Sequence, residues 1–380
     1  MGALRQRLKA LATTESTYPH ILSVYLKLRD GKQDLLKESR IFLKNRASEI
    51  EAVLASDSKA RANLFKEILV VERFLEQDVP NNAAGIALFV KDGEIFERFD
   101  TAIAMENQVA YRRVPHIAPL AHIEEELEPF LIVALDSRSA KIFDVAMGAA
   151  EAKEEINSDV HRRIQSGGWS QMRYQRHIDN QKREHLDEVA AQLDKLVREL
   201  SIKKIVLVGP DKTTSLFLDV LPAEIAKKVV DRSRLDSRAS EKDIIDHATQ
   251  YIQKADSAEE EERIRRARIE IHSSRMAVAG VDKVLRYLNS GQAYQVMLAH
   301  DFNERGMECS SCGSVVAALP KSEDTCPSCG ANSGALKNVE LRELMTRRAL
   351  NYGIDLHFMK SPAFRETLGN AAALLHSPYA

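Results

Sequence analysis

The sequence has no apolar run long enough to cross a membrane, and residues 1–30 contain no apolar segment of the kind found in signal peptides. The 380-residue chain is therefore expected in the cytosol. The 11 histidines are scattered, and no Ser-His-Asp triad is evident. These absences argue against a membrane protein and against catalysis by an activated side-chain nucleophile.

Cysteine is also scarce, because only four occur and all lie in one cluster. They form two Cys-x-x-Cys pairs separated by thirteen residues: Cys309, Cys312, Cys326 and Cys329. This spacing is typical of a zinc ribbon, and Gly313 and Gly330 permit the tight turns that such a ribbon needs. Two disulfides are the alternative, which a reducing cytosol disfavours. Four thiolates leave no open coordination position, so the Zn²⁺ is predicted to be structural.

The charge is close to balanced over the whole chain, at -2, but residues 161–183 are strongly basic. This stretch has six Lys or Arg against one Asp, a local net charge of +5. An RNA backbone is the natural partner of such a stretch, although an exposed helix start in contact with solvent alone is the alternative. His161, His177 and His185 form no His-x-x-x-His pair and are expected to face RNA or solvent.

Two adjacent glycines, Gly167 and Gly168, lie inside the basic stretch and are followed by Trp169-Ser170-Gln171. Glycine lets the backbone approach a ligand closely, so the pair indicates a contact point or a mobile tip. Ser170 is a suitable N-cap for a long helix predicted from Gln171 to Leu200, where no Gly or Pro occurs. The buried stripe of that helix is expected in its second half, at Leu186, Val189, Leu193, Leu196, Val197 and Leu200.

This segment resembles the loop and helix start of the archaeal and eukaryotic class-1 peptide-chain release factors. The shared pattern is Gly-Gly-x-Ser-x-x-Arg-Tyr-x-Arg, which is Gly167, Gly168, Ser170, Arg173, Tyr174 and Arg176 in this chain. Those factors carry Gly-Gly-Gln, whereas Trp169 stands in the place of that glutamine. The sequence is closer to the Pelota-related, release-factor-like peptidyl-tRNA hydrolases of ribosome quality control in bacteria and archaea. In that branch a glutamine follows the serine, as Gln171 does here.

The resemblance implies a peptidyl-tRNA hydrolase whose loop enters the peptidyl-transferase centre of the ribosome. The implied catalytic residues are Gln171, Gly167, Gly168 and Ser170. The glycines would allow close approach, while the glutamine amide or its backbone N–H would orient a water or the developing oxyanion. Positioning and oriented dipoles carry most of the acceleration in such a site, so the missing triad agrees with this hypothesis.

The predicted RNA-binding residues carry a positive charge or an aromatic ring: Trp169, Arg173, Tyr174, Arg176, Arg162, Arg163, Lys182 and Arg183. Trp169, the only tryptophan, either stacks on an unpaired base or anchors the loop against its own domain. The implied partners are the large ribosomal subunit, peptidyl-tRNA and rRNA, with a translational GTPase as a further candidate. The protein is expected to be a monomer and to bind no membrane.

Stop-codon-reading members of the family carry an Asn-Ile-Lys-Ser loop in their first domain, and residues 1–127 contain no such tetrapeptide. The sequence therefore favours a codon-independent factor that frees nascent chains from stalled ribosomes or large subunits. Two other classes stay open. One is a non-catalytic, Pelota-like ribosome- or tRNA-binding rescue factor, and the other is a nuclease acting at the tRNA acceptor end.

The fold class is predicted to be α/β and α+β in three domains, which agrees with the three-domain outline of the release factors. An α+β domain is expected over residues 1–127, including a hairpin whose turn is Asp92-Gly93. A middle domain over 128–272 is expected to have a mixed or largely parallel sheet and the long helix. An α/β domain over 273–380 is expected to carry the zinc ribbon at 305–333. Gly209-Pro210 is interpreted as an ordinary strand-to-helix turn, not a phosphate-binding loop.

Overall fold

The structure is a computed structural model that describes residues 3–16, 20–30, 33–136, 138–146, 149–157, 169–234, 239–317 and 325–377, with only the backbone of residues 169–179. The chain forms two compact units, and the first comprises Leu127–Glu259. The second combines Ala3–Glu126 with Glu260–Ala380, so the N-terminal and C-terminal parts of the chain pack together. The division into three domains at residues 127 and 272 stays a prediction.

The N-terminal part of the second unit has an antiparallel sheet in the order β5-β4-β1-β6. Its elements are α1 (Ala3–Thr13), β1 (Ile21–Lys27), β2 (Arg29–Asp30), β3 (Gln33–Asp34), α2 (Leu36–Val53), α3 (Ser58–Gln77), β4 (Gly85–Lys91), β5 (Glu94–Thr101), β6 (Gln108–Arg112) and α4 (Ala118–Glu126). Both central strands are apolar at nearly every position, because both faces of this sheet are covered. Leu88 faces α2 and α3, while its neighbour Phe89 joins the core on the opposite face.

Local sequence signals explain two boundaries in this part. Asp57 accepts a hydrogen bond from the backbone N–H of Ala60 at 2.8 Å and so caps α3. The β4–β5 turn has positive φ at Asp92 and Gly93, as the Asp-Gly pair predicted. Helices α1 and α4 were not predicted.

The first unit has a mixed sheet in the order β11-β10-β7-β8-β9. Its elements are β7 (Phe130–Leu135), β8 (Ser139–Ala146), β9 (Ala149–Asn157), α5 (Trp169–Glu199), β10 (Lys204–Val208), α6 (Asp211–Val220), α7 (Ala223–Ala226), β11 (Val229–Ser233) and the start of α8 (Glu241–Ser273). β7, β10 and β11 are parallel, while β8 and β9 extend the sheet with antiparallel pairing. Helices α5 and α6 cover one face and α8 the other. This arrangement confirms the predicted sheet type.

The C-terminal part of the second unit has a sheet in the order β12-β18-β13-β17, in which β13 and β17 are parallel. Its elements are β12 (Ala277–Ala279), α9 (Val281–Asn289), β13 (Ala293–Ala299), β14 (Arg305–Cys309), β15 (Val315–Val316), β16 (Leu336–Glu340), α10 (Leu341–Tyr352), β17 (Asp355–Met359), α11 (Pro362–Leu368) and β18 (Ala371–Leu375). β14 lies between β15 and β16 in a separate small sheet that carries the cysteines. The α/β and α+β fold class is confirmed.

Glu343 of α10 joins the two parts of the second unit. Its buried carboxylate accepts hydrogen bonds from the backbone N–H groups of Ile117 at 3.1 Å and Ala118 at 2.8 Å, and it lies 3.0 Å from His116 Nδ1. The carboxylate therefore caps α4 from a helix that is distant in sequence. Among the described residues, no helix combines the length and the apolarity that a membrane crossing requires.

Candidate functional site

The segment of residues 167–171 lies only partly within the described residues. Gly167, Gly168, Arg162 and Arg163 lie outside them. Helix α5 begins at Trp169, two residues before the predicted start, so Ser170 lies inside the helix and is not its N-cap. Gln171 lies in the first turn of α5.

The segment from 158 to 168 is bounded by the end of β9 and the start of α5. β9 runs antiparallel to β8, and β8 runs antiparallel to β7, so β9 ends at the same edge of the sheet as β7. The parallel strand β10 also ends at that edge. The carboxyl edge of parallel strands is where α/β sheets commonly place ligand-binding loops. The strand that precedes residues 158–168 therefore ends at the carboxyl edge of the parallel strands.

Among the side chains of α5 that the structure describes, from residue 180 onward, the first buried ones are His185 and Leu186, at 2% and 4% exposure. The buried stripe then continues as predicted through Val189, Leu193 and Val197. The positions before His185 differ, because Arg183 and Glu184 are exposed and Lys182 is half-buried. Helix α5 thus has a packed second half and a more exposed stretch directly before it.

The expectation that His185 faces RNA or solvent was wrong. Burial lowers the pKa of His185, and the nearby Glu188 carboxylate opposes that effect only in part. Its position at the start of the apolar stripe explains the burial, because the next turn of α5 packs on the sheet. His161 lies outside the described residues, and nothing is described of the His177 side chain.

Gly209 lies at the turn from β10 into α6. It has φ of 150°, and a Cβ there would lie 2.2 Å from the carbonyl oxygen of Leu135. Glycine is therefore required for the close approach of this turn to β7. Asp211, at the start of α6, pairs with Arg234 at 3.0 Å. These contacts give the turn a structural role.

A serine-histidine pair lies near the same edge of the sheet. Ser233 Oγ is 2.7 Å from His247 Nδ1. The serine is only 1% exposed, so its hydroxyl is not accessible to a substrate. The pair therefore supplies no accessible nucleophile.

The four predicted metal ligands meet at one point. The Sγ atoms of Cys309, Cys312, Cys326 and Cys329 all lie within 4.8 Å of one another. The Sγ–Sγ distance is 3.8 Å between Cys309 and Cys329, and 3.7 Å between Cys312 and Cys326. All four are free thiols at separations much longer than the roughly 2.05 Å of a disulfide bond.

Each Cys-x-x-Cys pair forms a knuckle closed by a glycine. The N–H of Gly313 donates to the carbonyl of Cys309 at 2.7 Å, and the N–H of Gly330 donates to that of Cys326 at 2.8 Å. Both glycines have positive φ, 71° and 72°. The predicted role of these two glycines is confirmed, because such a φ favours glycine over other residues.

The sulfur cluster shares negative charge unevenly. The backbone N–H of Cys312 hydrogen-bonds the Cys309 sulfur and helps to lower the pKa of that thiol to about 6. At Cys329 the backbone N–H of Ala331 favours the thiolate, but Cys312 and burial outweigh it and raise the pKa to about 12. Because the four sulfur atoms lie within 4.8 Å of one another, each thiolate would discourage the next, and a cation at the centre would favour full deprotonation.

Two polar residues outside the cysteine motif support the first knuckle and were not predicted. Arg348 of α10 donates to the carbonyl oxygen of Gly313, and Asn289 at the end of α9 donates to that of Val315 at 2.9 Å. Nothing in the local sequence marks these residues, because they belong to helices on either side of the cysteines in the chain.

Comparison with known proteins finds similarity to release factors. Residues 115–253 match the family model described as bacterial archaeo-eukaryotic release factor family 10. Peptide chain release factor subunit 1 of Methanosphaera stadtmanae is 21% identical over 364 residues, which cover 90% of this chain and 87% of the relative. Over most of its length the chain is thus similar to an archaeal class-1 release factor.

Two further known proteins are similar to this chain. Peptide chain release factor subunit 1 of Methanopyrus kandleri is 26% identical over 206 residues, or 52% of this chain and 50% of the relative. The crystal structure of Archaeoglobus fulgidus Pelota aligns with a TM-score of 0.33 and 16% identity, covering 82% of this chain and 92% of that one.

The family match places the candidate residues in a definite context. The matched stretch includes the first unit from Leu127 almost to its end, and with it the segment from Gly167 to Gln171. The cysteine cluster lies outside the match. The family model therefore covers the basic segment, while the cysteine site rests on its own geometry.

Proposed function

We propose that this protein is a codon-independent peptidyl-tRNA hydrolase that frees nascent chains from stalled ribosomes or large subunits. One observation carries the proposal: the family match includes Gly167-Gly168-Trp169-Ser170-Gln171 at the start of the basic helix α5. Residues 1–127 lack the Asn-Ile-Lys-Ser tetrapeptide of codon-reading members, which supports codon independence.

In this proposal Gln171 acts by orientation. A side-chain amide offers both a donor and an acceptor, so it can position a water against the ester of peptidyl-tRNA or stabilise the oxyanion that forms. Gly167 and Gly168 would let the backbone reach the ester closely, and Ser170 would support the same turn. The first turn of a helix also offers free backbone N–H groups and a positive dipole end, which favour a developing negative charge.

The basic residues would hold RNA around the ester. Residues 169–184 precede the packed stripe of α5 and span about 24 Å at 1.5 Å per residue. That length is enough to carry Gln171 well away from the packed part of the helix. Arg173 and Arg176 would bind phosphates there, assisted by Arg162, Arg163, Lys182 and Arg183, while Trp169 and Tyr174 would offer rings for base stacking. The proposed partners are the large ribosomal subunit, peptidyl-tRNA and rRNA.

A release assay tests the catalytic proposal against its alternatives. Stalled complexes of large subunit and peptidyl-tRNA are incubated with wild type, Gln171→Ala or Gln192→Ala, and the tRNA and peptide products are resolved. Gln192 serves as the matched control because it lies on the packed half of the same helix. Intact tRNA with free peptide from wild type and Gln192→Ala, but not from Gln171→Ala, supports the hydrolase. Shortened tRNA indicates a nuclease, and an unchanged but bound complex indicates a Pelota-like binding factor.

We also propose that the four cysteines bind one structural Zn²⁺. Tetrahedral coordination at Zn–S distances of 2.3 Å requires sulfur atoms about 3.8 Å apart, and two of the separations are 3.7 and 3.8 Å. The four thiolates would fill every coordination position, so the metal would stabilise the ribbon and take no part in the reaction.

Metal analysis tests this second proposal. One zinc per chain is expected after purification at neutral pH without added metal. The double variant Cys326→Ser/Cys329→Ser should lose the metal while the α/β body around β13 and β18 stays folded, because that body has its own apolar core. Less than half a zinc per chain in the wild type would contradict the assignment.

A further inference from the structure

The two cysteine knuckles have the same internal geometry but different surroundings. The first comprises residues 309–314 and the second residues 326–331. Each is closed by one glycine N–H bond to its first cysteine, and each first cysteine also donates its own N–H back across the turn, Cys309 to Ser314 at 2.9 Å and Cys326 to Ala331 at 2.7 Å. Any difference in their behaviour must therefore come from what holds them to the rest of the protein.

The first knuckle is tied to two core helices. Arg348 of α10 reaches three acceptors at once: the carbonyl of Gly313, Glu308 Oε1 at 3.2 Å and Asn289 Oδ1. Asn289 of α9 then donates to the carbonyl of Val315 at 2.9 Å. The Arg348 side chain is largely buried, at 15% exposure, which lengthens the lifetime of such a fork of hydrogen bonds.

Both helices are fixed independently of any metal. Val284, Leu285 and Leu288 of α9 are buried, as are Leu344 and Met345 of α10, and all belong to the large core of the second unit. A clamp built on these helices therefore has a fixed position before a metal arrives.

The second knuckle has no comparable clamp among the described residues. Besides the sulfur contacts, its side chains reach the first knuckle through the hydrogen bond between Ser314 Oγ and Ser328 Oγ at 2.7 Å. Its flanks meet in a single bridge between Thr325 and Asn332. These bonds lie within the ribbon, so they move with it and do not connect the second knuckle to α9 or α10.

We infer that Arg348, together with Asn289, is a positioning residue for the metal: it holds Cys309 and Cys312 in ligand geometry before metal binding, and the second knuckle closes afterwards. The inference rests on the proposed zinc site. Preorganising two of four ligands lowers the conformational entropy that binding must remove. Residues that support metal ligands in this way typically change metal affinity by about 10- to 100-fold when they are removed.

Cobalt(II) titration of the metal-free protein tests the inference, because the absorption bands of cobalt report tetrahedral four-sulfur coordination. Arg348→Met is compared with Arg347→Met, a matched control whose guanidinium donates to the carbonyl of Ala12 instead. We expect about 10- to 100-fold weaker cobalt binding for Arg348→Met with an unchanged spectrum, and unchanged affinity for Arg347→Met. Arg348→Lys should not restore the affinity, since one ammonium cannot reproduce a fork to three acceptors.

The inference would be overturned if all three variants bound cobalt as tightly as the wild type does. It would also be overturned if Arg348→Met and Arg347→Met lost cobalt affinity equally. A wild type without the four-sulfur spectrum would instead refute the zinc site itself, so the two failures are distinguishable. Amide hydrogen exchange in the metal-free wild type gives a second test that needs no variant. Gly313 should stay protected while Gly330 exchanges rapidly, and rapid exchange of both would contradict a preformed first knuckle.

Discussion

At the scale of single residues, the most unusual side chain is Glu67 on α3. It is 1% exposed, and neither carboxyl oxygen has a hydrogen-bond partner among the described residues. Burial raises its pKa from 4.5 to about 8, which favours the neutral form of the side chain at pH 7. Glu67 lies on the buried stripe of α3. Its protonation state depends on its burial in the folded protein, so the sequence alone does not predict it.

Glu67 gives the protein a pH-dependent stability. Because the folded-state pKa lies above the unfolded value, the folded state holds one more proton between about pH 4.5 and 8, and its stability falls as pH rises through that window. The slope should approach about 1.4 kcal/mol per pH unit and level off above pH 8. Glu67→Gln should flatten this dependence and raise the urea midpoint at pH 8.5.

Urea unfolding of the second unit at pH 6 and pH 8.5 measures the effect. Glu76→Gln is the control, because Glu76 lies on the exposed side of the same helix. If Glu67→Gln and wild type lose stability equally with rising pH, Glu67 is not the responsible group.

At the scale of elements, pattern and spacing predicted much of the fold. The β4–β5 hairpin and the buried stripe of α5 follow from local signals and are confirmed. β9 was missed because it is a charged edge strand, in which Ile156 is the largest apolar residue that reaches the core. Helix α4 was missed for another reason, since its start depends on a carboxylate more than 200 residues away in sequence.

That carboxylate leads to a prediction about α4. Glu343→Ala should leave the buried N–H groups of Ile117 and Ala118 without their acceptor, which costs about 1–3 kcal/mol in the stability of the second unit. Faster amide exchange in the first turn of α4 should accompany the loss. Glu366→Ala, at an exposed position of α11, is the control and should change neither quantity.

At the cysteine site, too, the features set by neighbouring residues were predicted and the contacts made by distant helices were not. The Cys-x-x-Cys spacing and its glycines were sufficient to predict a cluster, because both signals act within a few residues. Arg348 and Asn289 escaped prediction because their roles depend on how α9 and α10 pack around β14. Similarly, the burial of His185 follows from the packing of α5 on the sheet and not from its basic neighbours.

At the scale of the whole molecule, the proposed function requires the basic stretch of residues 161–183 to bind RNA within a chain whose net charge is only -2. The logarithm of the affinity for a ribosomal complex should therefore fall linearly with the logarithm of the salt concentration. Arg173→Ala should reduce the steepness of that dependence by about one unit. Arg198→Ala should leave it unchanged, because Arg198 lies at the far end of the same helix and pairs with Asp194 at 2.8 Å.

Fluorescence anisotropy across a salt series measures both variants. An identical salt dependence for wild type and Arg173→Ala would show that the start of α5 does not contact phosphate.

The central claim is that Gln171 orients the hydrolytic attack on peptidyl-tRNA. The most direct measurement is the single-turnover rate of peptide release from stalled large subunits at saturating protein, for wild type and Gln171→Ala. The account predicts intact tRNA as the product and a release rate about 100-fold or more lower for the variant, as expected when one oriented hydrogen-bonding group is lost from the transition state. Equal release rates for the two proteins would contradict it.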